Sequence, residues 1–105
     1  MSMLNSSDGI VHVNIMIHRG GHVIVSYNVK PLFEGFREFC MRKIRQMVDE
    51  FCECGGKKMV FHIQVMMAGD MNGMWDQGYF KSHLIQLNSS SRCEIEVQSN
   101  LYKVY

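Results

Sequence analysis

Apolar and polar residues alternate from Ile10 to His18 and again from His22 to Val29. Val11, Val13, Ile15 and Ile17 share one face of the first segment. His12, Asn14, Met16 and His18 share the other, the period of two that marks a half-buried strand. Arg19-Gly20-Gly21 separates the two segments. A two-residue Gly-Gly loop would pair Ile15 with Ser26 and Val13 with Asn28, mixing the faces. A three-residue loop pairs Ile17 with Val23, Ile15 with Val25, Val13 with Tyr27 and Val11 with Val29. Every apolar residue then shares one face, so the three-residue hairpin is expected, with Gly21 taking the left-handed conformation.

The period changes after Val29. Phe33, Phe36, Cys40, Ile44, Met47 and Phe51 follow spacings of three and four, and Leu32, Phe39 and Val48 widen the stripe. Pro31 suits a first helical turn and Gly55-Gly56 a stop, so the pattern predicts one helix from Pro31 to Cys54. Glu38 with Arg42 and Arg45 with Asp49 are expected as i,i+4 pairs on its outer face. Phe36, Cys40, Ile44 and Met47 are expected at the centre of the core, against Val13, Ile15, Val25, Phe61 and Ile63.

Lys58 to Met67 reads as a third strand. Ala68 to Gly78 carries Gly69, Gly73 and Gly78 and reads as a loop or tight hairpin. Tyr79 to Leu87 fits a short helix better than a strand, and Asn88 to Ser91 a polar turn. Arg92 to Gln98 alternates with Cys93, Ile95 and Val97 inward, and Leu101 to Tyr105 extends that strand or packs beside it. These elements predict an α+β fold: a mixed sheet of four to five strands with one long helix packed on one face.

A chain of 105 residues is one domain. Residues 1–9 read as a flexible tail and 10–105 as a single α+β domain. With 47% apolar and 20% charged residues the composition is globular, and a net charge of +1 supplies no general field for nucleic acid or acidic membranes. No apolar run approaches the roughly 18 residues of a membrane span. Met1 to Gly9 lacks the basic and apolar regions of a signal peptide, which points to the cytoplasm or nucleus. Cys40, Cys52, Cys54 and Cys93 are accordingly expected as reduced thiols that bind no metal.

Catalytic patterns are weak. His18 and His22 face each other across the hairpin with His12 on the same face, but two convergent imidazoles fall short of a tetrahedral site. Cys52-Glu53-Cys54 is spaced too closely for a structural zinc pair. No nucleophile elbow occurs, and Arg19-Gly20-Gly21 joins two strands instead of opening a helix, so it is not a phosphate loop. The expectation is a non-enzymatic chain without cofactor or metal.

Two surfaces stand out. Met16, Ile24, Val60 and Met66 are apolar on the sheet face assigned away from the helix, the pattern of an interaction surface. Arg42, Lys43, Arg45, Lys57 and Lys58 form a basic cluster around the helix end, which makes RNA a possible partner.

The order β-β-α-β-turn-(short helix)-β resembles the β-grasp, the ubiquitin-like fold, and within it the Phox-and-Bem-type interaction domain. The resemblance spans Ile10 to Tyr105 and is one of topology and spacing. Val60 to Met67 followed by Gly69-Asp70-Met71-Asn72-Gly73-Met74-Trp75-Asp76 is similar to the acidic loop with which such domains grip a partner's lysine. That implies a contact role for Asp70 and Asp76. The family's first-strand lysine has no counterpart here; Lys30 lies nearest. Together these readings predict a cytoplasmic or nuclear scaffold that binds a protein partner or forms a homodimer or larger homo-oligomer, and that does not associate with membranes.

Overall fold

The computed structural model describes residues 8–67 and 69–100. The expected tail at 1–9 lies outside these apart from Asp8 and Gly9, as does the expected extension at Leu101 to Tyr105. Gly9 already belongs to the sheet edge, since its carbonyl accepts from the backbone N–H groups of Lys57 and Lys58.

Five strands and two helices follow one another: β1 (Ile10–Ile17), β2 (Val23–Tyr27), β3 (Lys30–Gly35), α1 (Arg37–Glu53), β4 (Lys58–Val65), α2 (Met71–Ser90) and β5 (Glu94–Asn100). They form one mixed sheet in the order β3-β2-β1-β4-β5. β1 pairs antiparallel with β2, and β2 with β3, while β4 runs parallel to both β1 and β5. The α+β class with a mixed sheet is therefore as the alternation predicts.

The first hairpin has the expected register, with Ile17 opposite Val23 and Ile15 opposite Val25. Arg19–Gly21 forms a single 3-10 turn in which Gly20 and Gly21 both take positive φ, 82° and 83°. The pairing stops at Asn14–Ser26, short of the expected partners Val13–Tyr27 and Val11–Val29.

The reason is a second hairpin. Asn28 and Val29 take φ of 51° and 65° between the paired residues Tyr27 and Lys30. Two positive-φ residues make the tight two-residue turn that matches strand twist. The chain therefore returns as β3, and Pro31 sits in an outer strand, where a missing N–H is tolerated. The helix begins at Arg37, six residues later than its apolar spacing suggests. Phe36 is the residue before it and is 68% exposed, so the expectation of Phe36 at the core centre is wrong. Phe33 points inward from β3 instead, opposite Val25.

A 20-residue helix, α2, occupies most of residues 68–87 and runs on through Ser90, in place of a loop and a short ambiguous element. Gly73 does not break it. A Cβ there would lie 2.7 Å from Cγ1 of Val65, so the glycine lets the helix sit directly on the end of β4.

Both helices lie on the same face of the sheet. Two crossovers, β3-α1-β4 and β4-α2-β5, join parallel strands and advance across the sheet in one direction. Parallel crossovers are almost always right-handed, and two of the same hand and direction place their helices on one side. The core forms there, from Val11, Val13, Ile15 and Ile17 of β1, Val23 and Val25 of β2, Met59, Phe61, Ile63 and Val65 of β4 and Ile95 of β5. Cys40, Met41, Ile44, Val48 and Phe51 of α1 and Phe80 and Leu84 of α2 close it. The opposite sheet face carries no helix among the described residues.

Cys52 near the end of α1 is disulfide-bonded to Cys93 just before β5, 41 residues later in the chain. The expectation of four reduced thiols therefore does not hold for this pair. Both residues pack at the same end of the core, which brings the two sulfurs together. Cys40 and Cys54 are free, the first buried and the second exposed. Burial, with the nearby Glu34 charge, pushes the Cys40 thiol up to about 11.

Candidate functional site

The bare sheet face is more polar than alternation alone suggests. Met16 and Ile24 lie opposite each other there, half-buried, and Val60 is buried among its neighbours. Met66 follows the end of β4 and is partly exposed. Histidines and charged groups surround them. His12 Nδ1 and His62 Nε2 are 2.9 Å apart on adjacent strands, with their rings stacked. Burial first, and His12 second, hold the His62 imidazole below its ordinary range. Lys58 bonds to Glu96 at 2.8 Å and to Glu94 at 3.1 Å, which raises the lysine and lowers Glu96. His22 meets Glu34 at 3.1 Å. The converging imidazoles are thus His12 and His62, not His18 and His22, whose ring centres lie 6.3 Å apart. Among the described residues no group of three or more His, Cys, Asp or Glu side chains is placed to hold a metal.

Asp70 and Asp76 are not side by side. Asp70 is the residue before α2, with its Oδ2 buried and without a hydrogen-bond partner among the described residues. Asp76 lies one and a half turns into the helix, nearly buried, and accepts from Nη1 of Arg37 at 3.0 Å. Arg37 also donates to Glu38 at 3.2 Å, so Glu38 pairs with its neighbour and not with Arg42. Beside Asp70, a cleft of about 540 Å³ opens between Arg19-Gly20 and Met67, Gly69, Met71 and Asn72.

The basic cluster is divided. Arg42, Lys43 and Arg45 are exposed on the outer side of α1. Lys58 projects from the opposite side of the sheet and is held by Glu94 and Glu96. Lys57 is exposed beside Gly9.

The surface that alternation missed is the outer side of α2. Trp75 is 71% exposed, Met71 70%, Ile85 57% and Met74 44%. Gly78 lies exposed among them. Their spacing of three, four and seven places them on one side of the helix, turned away from Phe80 and Leu84. Within Met71–Ser90 the only residues of fixed charge are Asp76, which is nearly buried, and Lys81. The outer side of α1 is the reverse, carrying Glu38, Arg42, Lys43, Arg45, Asp49, Glu50 and Glu53. Two helices of one sheet layer thus present opposite surfaces. The signal was present in the sequence as Met71, Met74, Trp75 and Gly78, but the glycines marked the segment as a loop.

Phe36 approaches Gly21, where an added Cβ would meet the phenyl ring at 3.7 Å and Asp76 Oδ2 at 3.9 Å. The exposed aromatic ring therefore lies beside the α2 N-terminal half. No described helix is long and apolar enough to cross a membrane.

Comparison of the chain with protein-family models, with curated proteins and with solved structures finds no match.

Proposed function

We propose that this chain is a protein–protein association module without catalytic activity, acting in the cytoplasm or nucleus, and that the outer face of α2 is its principal contact surface. The carrying observation is the apolar side of a helix that already buries its other side. Large exposed apolar patches mark interaction sites. Self-association is the first form of contact to expect, because it needs only this chain. The sheet-face residues Met16, Ile24, Val60 and Met66 contribute less, since histidines and ion pairs interrupt them.

The test is direct. Trp75 is the only tryptophan in the chain, so its emission reports on this face alone. Emission should shift to the blue as protein concentration rises, and sedimentation should show an assembly. Trp75→Glu should abolish the assembly while circular dichroism and melting stay unchanged. A parent chain that remains monomeric up to its solubility limit, with constant emission, would overturn this reading.

The competing reading is RNA binding. It draws on the exposure of Arg42, Lys43, Arg45 and Lys57 and predicts a steeply salt-dependent mobility shift with single-stranded RNA. The division of Lys58 from the other four residues weighs against it.

A further inference from the structure

We infer that two copies of this chain pair through α2 about a two-fold axis at Gly78, with the helices antiparallel. The inference rests on the association reading above and gives it a partner and a geometry. Gly78 is the observation that points to it. Glycine in a helix interior is unfavourable by about 1 kcal/mol against alanine. Gly73 has a reason inside the chain, since a Cβ there would strike Val65. Gly78 has none among the described residues: its Cβ would meet nothing of them within 4 Å, on the outer side of the helix. A missing side chain at that point serves close approach by something outside the chain, as small residues do where helix backbones meet.

The face is complementary to itself about that point. A two-fold axis at Gly78 places Met71 against Ile85 of the second copy, and Ile85 against its Met71. At the same level Trp75 falls on the flank of the second copy's Ser82, and Met74 on the flank of its Lys81, whose stem can lie along the thioether. Antiparallel helices also oppose their macrodipoles favourably.

The area is of the right order. Trp75, Met71, Ile85 and Met74 have exposed fractions that correspond to roughly 500 Å² of apolar surface, at about 200 Å² for a large side chain. A standard interface takes about 800 Å² from each partner. The Gly78 backbone, Ser82 and the Lys81 stem supply part of the remainder.

Cross-linking decides the geometry. In a Cys54→Ser background, Gly78→Cys should form a covalent dimer readily on mild oxidation, because the two positions meet at the axis. Ser82→Cys should not, since its two copies lie about 12 Å apart along the helices at 1.5 Å per residue. Gly78→Leu should melt no lower than the parent and sediment as a monomer. A dimer that persists in Gly78→Leu, or an assembly in which Ser82→Cys cross-links and Gly78→Cys does not, would overturn the two-fold geometry. If assembly is lost in Trp75→Glu yet Gly78→Cys fails to cross-link, the two-fold pairing falls while the α2 contact surface stands. A parent monomeric at every concentration removes both.

Discussion

Arg37 of α1 donates from Nη1 to Oδ1 of Asp76 on α2 at 3.0 Å, and its guanidinium lies 4.7 Å over the ring of Tyr79. This is the polar fastening between the two helices. Tyr79 in turn packs tilted against His83, whose Nδ1–H donates to the Tyr79 carbonyl at 2.8 Å. Removing Arg37 leaves a nearly buried carboxylate without its cation, the costly way to break such a pair. Arg37→Ala should therefore destabilise the fold more than Asp76→Asn, which removes the charge and keeps an acceptor. Urea unfolding of the two variants checks the order; equal loss would place the energy elsewhere.

Core position separates two phenylalanines. Phe61 is wholly buried in the central part of the sheet, whereas Phe36 projects beside α2. Phe61→Ala should cost roughly 3–5 kcal/mol and Phe36→Ala well under about 1 kcal/mol. Denaturant midpoints at unchanged slope measure both. A large loss in Phe36→Ala would mean that the ring is enclosed.

Val29 is a β-branched residue in the left-handed region, fully exposed at the tip of the β2–β3 turn. That conformation costs an L-residue about 1–2 kcal/mol, and part is returned as unfolded-state entropy when glycine replaces it. Val29→Gly creates the Asn-Gly turn and should stabilise the chain by about 0.5–1 kcal/mol. Thermal and urea unfolding would show it, and a lower melting temperature would refute the turn.

The His12–His62 contact makes stability depend on pH. Burial and the neighbouring imidazole depress the folded-state pKa of His62 below its usual 6.5. As pH falls past that value the unfolded chain takes up the proton first, so stability should be constant above it. It should then decline towards the lower folded value and level off beneath. His62→Asn should flatten this limb. Urea midpoints across the range test it, and a rise in stability on acidification would contradict the contact.

The Cys52–Cys93 bond spans 41 residues. Chain-entropy arguments value such a cross-link at about 4 kcal/mol. Reduction should lower the unfolding free energy by that order, and alkylation of the unreduced native chain should label Cys54 quickly and Cys40 hardly at all. Rapid labelling of Cys52 and Cys93 would mean that the bond is open in solution. A chain resident in the cytoplasm meets a thiol buffer that opposes the bond, so the same labelling in cells bears on where it works.

The legible parts of this fold are those with a single clean period. β1, β2, β4 and β5 alternate with one buried face, and the α1 stripe from Cys40 to Phe51 has a charged reverse side. β3 was hidden because Pro31 suits a helix start, and because Asn28-Val29 lacks the glycine that announces a tight turn. α2 was hidden because apolar residues lie on both sides of it: Phe80 and Leu84 inward, Met71, Met74, Trp75 and Ile85 outward. Periodicity distinguishes a helix only by contrast between its sides. Gly69, Gly73 and Gly78 further make Ala68 to Gly78 read as a loop.

Pro31 has one further consequence. β3 is an outer strand of the sheet, and an outer strand is a template on which another chain can add. Pro31 withholds a donor from that edge, and the exposed Lys30 and Glu34 place charge along it. Such an edge resists fibre growth, which needs an unbroken row of donors and acceptors. On this side the sheet therefore presents an edge that another strand cannot extend without a break.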